Sequence, residues 1–405
     1  MISPAVPSLV REINERRTIE ILRAKGALHA AEIARLIGLS RTTMAEILRE
    51  LVDAGLVQEY TPGEEDSRRA KSVFEAVSDL KVSLAIDIGA RFIRAAICDL
   101  NLVIRSEANI EVKNSDLASI LIDIKSAVRL ALKESNFKKK DIAAICVAAP
   151  GIIHQDGVIS IAGALPSLDG FDLKAFISKE YGIAPRIEND VNMLTIAEQK
   201  IGLGRERKNF AVLSIGSGLG SGLVLNGDLH RGHNGAAGEV FWVPFGDPRD
   251  KRRESTNPSG DSIADIARKL RKTSKKSTLK EPYSMIEIIA AAKEGDLLGK
   301  AIVAEVAKRI ALYAGAISAI TDVELIILSG GIGRQANFFL TPIKELLKEV
   351  VPVSPQLLVS SLGADAILIG ALQMATIDAC ELTFSDRRKF INRDLAVSNI
   401  GLTDI

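Results

Sequence analysis

The side chains with the clearest capacity for chemistry form the segment Glu188-Asn189-Asp190. This segment follows a short predicted strand and precedes a helix that we expect to begin near Val191. A carboxylate and a carboxamide at such a strand end can hydrogen-bond sugar hydroxyls, and Asp190 could serve as general base for a hydroxyl that attacks a phosphoryl group. A plainer interpretation stays open, in which Asn189 or Asp190 only caps the helix.

Glycine-rich segments follow several apolar stretches and favour the binding of a phosphate. The segment with the most glycines is GSGLGSG at 216–222, and DIG at 87–89 and SGGIG at 329–333 also follow apolar stretches, whereas GHNGAAGE at 232–239 places a carboxylate after a glycine-rich loop. Glycines after a strand let backbone N–H groups approach a phosphate, and the N-terminus of a following helix adds its dipole. A tight β-turn needs the same residues, so the run at 216–222 leaves both interpretations open.

The pattern around these segments predicts the elements that position them. Residues 1–80 are helical in pattern to about Gly55 and then form short strands, whereas strands alternate with helices from 82 to 379. Such alternation is typical of an α/β architecture. The glycine turns at 87–89 and 216–220 both follow apolar strands, so we expect two similar halves that face one cleft. Residues 247–280 are charged and rich in Ser and Pro, which predicts an irregular exposed segment.

A helix-turn-helix is predicted within 30–51. Apolar residues recur at helical spacing on both sides of Gly38, where a tight turn needs a positive φ. Ser40 is placed to cap the second helix, which would enter the major groove of DNA. The side chains predicted to face DNA are Ser40, Arg41, Thr42, Thr43, Glu46 and Arg49. Taken alone, the segment also fits an ordinary amphipathic helical hairpin.

The following residues predict a wing, which strengthens the DNA-binding interpretation. A strand that opens after Gly55 can pair with VFEAV at 73–77, and the hairpin between them carries Arg68, Arg69 and Lys71. These cations are placed to contact phosphates. Residues 1–80 hold eleven Lys and Arg against thirteen Asp and Glu, so the prediction depends on where the charges lie and not on their sum.

Composition is that of a globular protein without a membrane segment. The 405 residues are 47% hydrophobic and 25% charged, with a net charge of +1. No uncharged apolar run of about eighteen residues and no signal peptide is recognised. Cys98, Cys146 and Cys380 are far apart in apolar settings, which predicts buried thiols in a reducing, cytoplasmic environment.

The order of these motifs resembles the ROK family, which joins repressors and sugar kinases on the actin/hexokinase-like fold. The resemblance extends over 15–379 and includes the helix-turn-helix, Ala149-Pro150-Gly151 and ENDVN at 188–192. It implies a two-lobed α/β fold preceded by a winged helix-turn-helix. The implied domains are the winged helix-turn-helix at 1–80, a first lobe at 81–195, a second lobe at 196–379 and a C-terminal tail at 380–405 that packs on the first lobe.

The resemblance also implies which residues form the site. Asn189, Asp190 and Glu239 would line a sugar site between the lobes, and Asp190 would match the catalytic base of kinase members. The residues that would correspond to the nucleotide-binding turns are Asp87, Gly89, Gly216, Gly218, Gly220, Gly330 and Gly331.

Departures from the family pattern predict that catalysis is lost. Ala90 and Arg91 stand where kinases have a glycine and then a threonine, so side chains crowd the turn for the β- and γ-phosphates. Trp242 replaces a histidine, and it would either stack on the sugar or pack in the core. The family's zinc cysteines are missing from 247–260, so neither a metal nor another cofactor is expected. Glu254 matches a sugar-binding glutamate but is displaced by one residue.

These features predict a sugar-responsive transcription regulator of carbohydrate metabolism genes, with repression as the expected mode. It would bind double-stranded operator DNA as a homodimer or higher homo-oligomer and take a small sugar or sugar derivative as effector. One alternative is an ATP-dependent sugar kinase, including a bifunctional one. Another is a DNA-binding scaffold whose effector is a partner protein.

Overall fold

The computed structural model describes residues 7–61, 72–245, 256–272 and 277–400. The predicted wing cations Arg68, Arg69 and Lys71 and the predicted sugar ligand Glu254 lie outside these residues. The N-terminal elements are α1 (Pro7–Lys25), α2 (Ala30–Ile37), α3 (Arg41–Asp53), β1 (Val57–Tyr60) and β2 (Val73–Ala76).

The remaining elements form the α/β region. The first half contains β3 (Val82–Ile88), β4 (Phe92–Asp99), β5 (Ile104–Glu111), α4 (Leu117–Ser135), β6 (Ile142–Ala149), β7 (Ile152–Ile153), β8 (Ile159–Ser160), α5 (Leu173–Tyr181) and β9 (Arg186–Asn189). The chain continues with α6 (Asp190–Ile201), β10 (Phe210–Ile215), β11 (Leu219–Leu225), β12 (Asp228–Leu229), α7 (Gly260–Arg271), α8 (Met285–Lys293), α9 (Leu297–Thr321), β13 (Leu325–Ser329), α10 (Gly330–Gly333), α11 (Leu340–Val350), β14 (Gln356–Val359) and α12 (Ala366–Ile400).

Helices α2 and α3 form the predicted helix-turn-helix, and local sequence explains the turn between them. Gly38 ends α2 with a φ of +81°, and its N–H donates to the carbonyl of Ala34. Ser40 Oγ accepts a hydrogen bond from Thr43 N at 3.1 Å and caps α3. The inner face of α3 is buried against α1 and α2 and consists of Met44, Ile47, Leu48 and Leu51.

The wing strands also pair as predicted. β1 and β2 are antiparallel, with Val57 opposite Ala76 and Tyr60 opposite Val73. Leu28, between α1 and α2, forms an additional bridge with Phe74. This bridge pairs the hairpin with a segment far away in the sequence, and the local sequence pattern did not indicate it.

The two halves of the α/β region have the same sheet topology, which confirms the prediction of two similar halves. The strand order is β5-β4-β3-β6-β9 in the first sheet and β12-β11-β10-β13-β14 in the second. In each sheet the first strand along the chain pairs antiparallel with the second and parallel with the strand that follows a helical crossover. Every residue of β3 is buried, because helices cover both faces of the first sheet.

Helix α12 packs on the first sheet, although it follows the last strand of the second. Ala371 and Ala375 share a buried cluster with Ala85 and Cys146. Gly370 lies so close to α6 that a Cβ at this position would be 1.8 Å from the carbonyl oxygen of Met193. The boundary predicted between residues 379 and 380 therefore falls inside one continuous helix. The part of this helix before residue 380 packs on the first sheet, so it does not belong to the second lobe alone.

The tail beyond residue 380 contacts the first lobe and the winged helix-turn-helix. Cys380 Sγ lies 3.7 Å from the carbonyl oxygen of Leu100 in the first lobe. Phe384 is buried in the core of the winged helix-turn-helix, and Glu381 forms an ion pair with Arg16 of α1. The Arg16 guanidinium also lies 4.3 Å from the centroid of the Phe384 ring.

The same helix is long and apolar enough, over Ala366–Arg387, to cross a membrane by length and composition. Half of that window is buried inside the protein. Its small and apolar side chains cover the first sheet, so the composition of this stretch is that of a core helix.

Candidate sugar cleft and DNA-binding face

The outer face of α3 exposes all the side chains predicted to meet DNA. They are Ser40, Arg41, Thr42, Thr43, Glu46 and Arg49. Ser40 Oγ also lies 2.8 Å from the hydroxyls of Thr42 and Thr43, so this serine mainly holds the start of the helix. Arg41 and Arg49 have no ion pair in the described part of the chain. Their guanidinium groups are therefore available to phosphates or base edges.

The junction between β9 and α6 is built around Asn189. Its Oδ1 accepts hydrogen bonds from Val191 N at 2.8 Å and Asn192 N at 3.1 Å. Its Nδ2 donates to the carbonyl oxygen of Gly151 at 2.9 Å, which ties the junction to the Ala-Pro-Gly turn after β6. Asn189 is thus the helix cap that the plainer interpretation expected, and a single Nδ2 hydrogen remains for a ligand.

Asp190 and Glu239 lie close enough for their charges to interact, which brings two of the predicted sugar ligands together. Burial raises the pKa of Asp190 to about 6, and its Oδ1 accepts a hydrogen bond from Val191 N at 2.8 Å. Burial and then the charge of Asp190 raise the pKa of Glu239. Two poorly solvated carboxylates are strong acceptors for sugar hydroxyls, which would restore their lost hydrogen bonds.

Close packing of the GAAGE segment against β11 positions Glu239. Gly238 has a φ of +87°, and a Cβ there would lie 1.9 Å from the carbonyl oxygen of Ser221. The Ser221 N–H donates in turn to the Gly238 carbonyl at 3.0 Å. Because no other residue fits at position 238, the glycine brings the following carboxylate against the start of α6.

The run at 216–222 forms a β-hairpin and does not precede a helix, so no helix dipole follows it, and phosphate binding by its backbone stays a prediction. Gly216-Ser217-Gly218 forms the turn between β10 and β11, and Gly216 N donates to the Gly218 carbonyl at 2.9 Å. Gly220 and Gly222 lie in β11, where α6 crosses, and a Cβ at Gly222 would be 2.0 Å from Thr195 Oγ1. Gly216 and Gly218 therefore form a tight turn, and Gly220 and Gly222 allow α6 to pack closely on β11.

The turn after β13 lies beside this hairpin. Gly330 has a φ of +80°, and a Cβ there would lie 2.5 Å from the carbonyl oxygen of Ile215. A Cβ at Gly216 would in turn be 3.6 Å from Gly331 N. The structure thus brings two of the predicted nucleotide turns together at one end of the second sheet.

Asp87 in the first turn is paired with an arginine that the sequence analysis missed. Arg94 Nη1 lies 3.3 Å from Asp87 Oδ2 and donates to the carbonyl oxygen of Ala364 at 3.1 Å. Burial raises the pKa of Asp87 to about 7, with Arg94 opposing this shift and Asp190 and Asp365 adding to it. The sequence feature that could have indicated this pair is Arg94 itself, a single arginine within the otherwise apolar strand β4.

The cation that pairs with Asp87 beside this turn is therefore Arg94, and the crowding of the turn by Arg91 stays a prediction. Arg91 is exposed, and its guanidinium lies 5.9 Å from the centroid of the Phe92 ring. Gly89 lies within the turn itself, where its N–H donates to the Phe92 carbonyl at 3.0 Å.

Trp242 does not pack in the core, so that alternative is wrong. It is 59% exposed, and the neighbouring Phe241 is 47% exposed. The two rings meet edge to face with centroids 5.4 Å apart. Both belong to a single 3₁₀ turn (Val240–Trp242) that begins directly after Glu239.

The donor set does not fit the zinc of the resembled family. The described residues contain no group of three or more His, Cys, Asp or Glu side chains placed to hold a metal ion. Cys98 and Cys146 are buried thiols, and burial raises the pKa of Cys98 to about 12. A protonated thiol is a poor zinc ligand, and the sequence from 246 to 255 has no cysteine.

Comparisons with known proteins cover the whole architecture. The family model described as the ROK family matches residues 83–377, and one for a winged helix-turn-helix DNA-binding domain matches 11–58. A xylose repressor from Caldicellulosiruptor bescii is 23% identical over 395 residues, which is 92% of this chain and 97% of that protein. A beta-glucoside kinase from Listeria monocytogenes is 34% identical over 160 residues, which is 39% of this chain and 52% of that one.

A similar architecture is found among crystal structures. A ROK family transcriptional regulator, a homologue of the E. coli MLC protein, superposes with a TM-score of 0.76 at 21% identity. The superposition covers 93% of this chain and 99% of that chain. The two-lobed fold with its N-terminal winged helix-turn-helix is therefore shared.

Proposed function

Because the chain belongs to the ROK family and joins its domain to a winged helix-turn-helix, we propose that the protein is a sugar-responsive transcriptional regulator. The observation that carries this proposal is the presence of two functional surfaces in one chain. The exposed face of α3 offers free cations to DNA, and the cleft around Asp190 and Glu239 offers desolvated acceptors to a sugar. Repression is the proposed mode, since a relative that matches nearly the whole chain is a xylose repressor.

The proposed effector binds between the two halves through its hydroxyl groups. Asp190 and Glu239 accept hydrogen bonds from neighbouring hydroxyls, and the remaining Nδ2 hydrogen of Asn189 donates to a third. The exposed rings of Phe241 and Trp242 supply faces on which the apolar side of a sugar ring can stack. Xylose is the first sugar to test, because of the relative named above.

Helix α12 is the proposed connection between the cleft and DNA. The residues just before its N-terminus, Ala364 and Asp365, interact with Arg94 and Asp87 at the cleft. Near its N-terminus Gly370 packs closely against α6, and near its middle Phe384 lies in the core of the winged helix-turn-helix. A sugar that binds one arrangement of the halves more tightly would shift α6 and α12 together and so reorient α3.

We further propose that two copies act together on one operator. Two recognition helices held one duplex turn apart read a palindromic site, and a dimer also doubles the number of phosphate contacts. A regulator of this kind acts in the cytoplasm, together with the chromosome.

Kinase activity is the second candidate, because Asp190 stands at the position of the family's catalytic base. We propose that this activity is lost, because Arg94 neutralises Asp87 beside the altered turn at Ala90 and Arg91. Phosphoryl transfer depends almost entirely on positioning and charge stabilisation, so these changes are costly. An ADP-release assay with hexoses, pentoses and amino sugars is expected to show no turnover. Turnover that Asp190→Asn abolishes would establish a kinase.

Fluorescence anisotropy tests the regulator directly. A duplex selected from a random pool by the full chain serves as the operator, and a scrambled duplex of equal length is the control. We expect specific binding at moderate salt that at least one sugar of the panel changes. Failure to select any preferred duplex would refute the proposal, whereas selective binding without any heat from a sugar panel in calorimetry would favour a scaffold with a protein effector.

A further inference from the structure

A cavity lies beside the proposed sugar site, along the free edge of β9. Its volume is about 280 Å³, and β9 is the edge strand of the first sheet. The β7–β8 hairpin, the first turn of α5 and the loop after β12 complete its walls. Asn189 is among its described lining residues, whereas Asp190 and Glu239 are not.

Cationic side chains dominate the walls of this cavity. Lys174, Arg186 and Arg231 line it, and Glu188 is the carboxylate among the described lining residues. Arg231 binds Glu188 through Nε at 2.9 Å and Nη2 at 2.6 Å. Arg186 binds Asp378 of α12 through two hydrogen bonds of 2.8 Å. Since a guanidinium has five N–H donors, both arginines retain donors for a ligand after these pairings.

Lys174 contributes a charge that no carboxylate neutralises in the described part of the chain. Its side chain lies over Gly157, which has a φ of +90°, and a Cβ at that glycine would be 2.4 Å from the Lys174 Cβ. Any larger residue at 157 would displace the lysine. The hairpin that carries Gly157 is itself held by a contact of 2.8 Å between His154 Nε2 and Ser160 Oγ.

Asn192 adds a buried polar group without a partner. It lines the cavity and is only 5% exposed. Asn189 Oδ1 accepts its backbone N–H, but its side-chain carboxamide makes no hydrogen bond to any described residue. Its carboxamide is not among the buried unsatisfied polar groups of the described residues, so it is accessible from the cavity and can donate to or accept from a ligand there.

We propose that this cavity binds a small phosphate-bearing ligand, either inorganic phosphate or a phosphorylated monosaccharide, at a site that adjoins the sugar cleft at Asn189 but contains neither Asp190 nor Glu239. Guanidinium and ammonium groups that converge with a carboxamide donor match the charge and the acceptor oxygens of a phosphate. The volume is near the lower end of ordinary ligand pockets and suits a ligand of this size. Ligand binding at this site does not require that the protein binds DNA. The pairing of Arg186 with Asp378 places the site beside α12.

Isothermal titration calorimetry of the full chain in a phosphate-free buffer tests the site. The titrants are sodium phosphate, glucose 6-phosphate and, as the uncharged control, glucose at matched ionic strength. We expect saturable binding of one or both phosphates. Lys174→Gln is expected to weaken it at least about tenfold, because a charged hydrogen bond is lost without leaving a carboxylate unpaired. The matched control is Lys179→Gln, which removes an exposed lysine from the same helix outside the cavity and is expected to leave the affinity unchanged.

The two phosphates distinguish the source of the ligand. Binding of both points to the phosphate group alone, and binding of glucose 6-phosphate alone points to a sugar phosphate. Both results support the site if Lys174→Gln weakens them and Lys179→Gln does not. Absence of binding, equal affinity in wild type and Lys174→Gln, or equal loss in both variants would overturn it. Thermal unfolding without ligand verifies that both variants are folded.

Discussion

At Asp190, one side chain carries the proposed sugar recognition and also a cost in stability. Its carboxylate is desolvated at the start of α6, where Val191 N is its one backbone donor in the described structure besides its own amide. Such a group is poorly stabilised until sugar hydroxyls reach it. Recognition and cost therefore have the same physical origin, and both can be measured.

Replacing Asp190 with Asn separates these two effects. The raised pKa of about 6 means that the folded protein keeps this proton where the unfolded chain releases it, so the wild type loses stability as pH rises from about 4 to 6. Above that window the carboxylate costs up to about 3 kcal/mol, since one pKa step equals about 1.4 kcal/mol. We expect Asp190→Asn to be the more stable protein at pH 8 and to lose that advantage at pH 4, as measured by urea unfolding, while its sugar affinity falls.

An unchanged stability difference between these two pH values would contradict the assignment. Asp190→Asn also removes a charge that helps to raise the pKa values of Asp87 and Glu239, and this secondary effect favours the variant at high pH as well.

Arg41 is the residue whose loss affects DNA binding most directly. It is exposed in the first turn of α3 and free of ion pairs within the described residues. Arg41→Ala is expected to weaken operator binding by about 1–3 kcal/mol, because one arginine contact with a base or phosphate is worth that much. The control is Arg129→Ala, which removes an equally exposed arginine from α4. Equal operator affinities of the two variants in anisotropy titrations would argue against α3 as the recognition helix.

Local patterns predicted the residues whose roles are local. Gly38 and Ser40 were identified correctly because a positive φ and a helix cap depend on neighbouring residues alone. The partners of Asp87 and Arg186 were not, because Arg94 and Asp378 reach them only after the sheet and α12 have assembled. The run at 216–222 was ambiguous because glycine suits a hairpin turn and a phosphate loop equally well.

At the scale of elements, α12 determines how the parts of the molecule are held together. Its existence as a helix follows from its apolar pattern, but its place on the first sheet does not, because the chain first completes the second sheet. The close approach of Gly370 to Met193 fixes α12 against α6, and α6 carries Asn189 and Asp190 at its start. If the cleft moves on sugar binding, we expect α12 to move with α6, because the close contact at Gly370 leaves little room for sliding.

A methyl group at Gly370 should disrupt that contact. Gly370→Ala is expected to lower the free energy of unfolding by about 1–3 kcal/mol through overpacking against the Met193 carbonyl. Gly363→Ala is the matched control, because a Cβ at Gly363 meets no atom within 4 Å. Denaturant titrations of both variants give the comparison, and a Gly370→Ala protein as stable as the control would show that the packing is not tight.

The end of α12 permits a test of coupling without touching either binding surface. Arg16→Ala removes the ion pair with Glu381 and the contact with the Phe384 ring. We expect it to reduce the effect of the sugar on operator affinity by about 2- to 30-fold, the range of a coupling change of about 0.5–2 kcal/mol. Sugar affinity of the free protein should stay the same. Arg17→Ala, which removes an exposed arginine one position along, should leave the coupling intact.

At the scale of the whole molecule, a DNA-binding domain and a two-lobed cleft share one continuous helix. The order of domains was predictable from the motifs, whereas the contact between the tail and α1 joins residues 365 positions apart and had no local signal. Regulation requires that the effector has different affinities for the two arrangements of this assembly. By linkage, the factor by which a sugar changes operator affinity equals the factor by which the operator changes sugar affinity.

The measurement that tests this most directly is the operator dissociation constant of the full chain, determined by anisotropy without sugar and with saturating sugar, starting with xylose. We expect one sugar of the panel to raise this constant at least about fivefold, the lower range of typical coupling, and Asp190→Asn to abolish the change. An operator affinity that stays constant with a sugar shown by calorimetry to bind the same protein would contradict it.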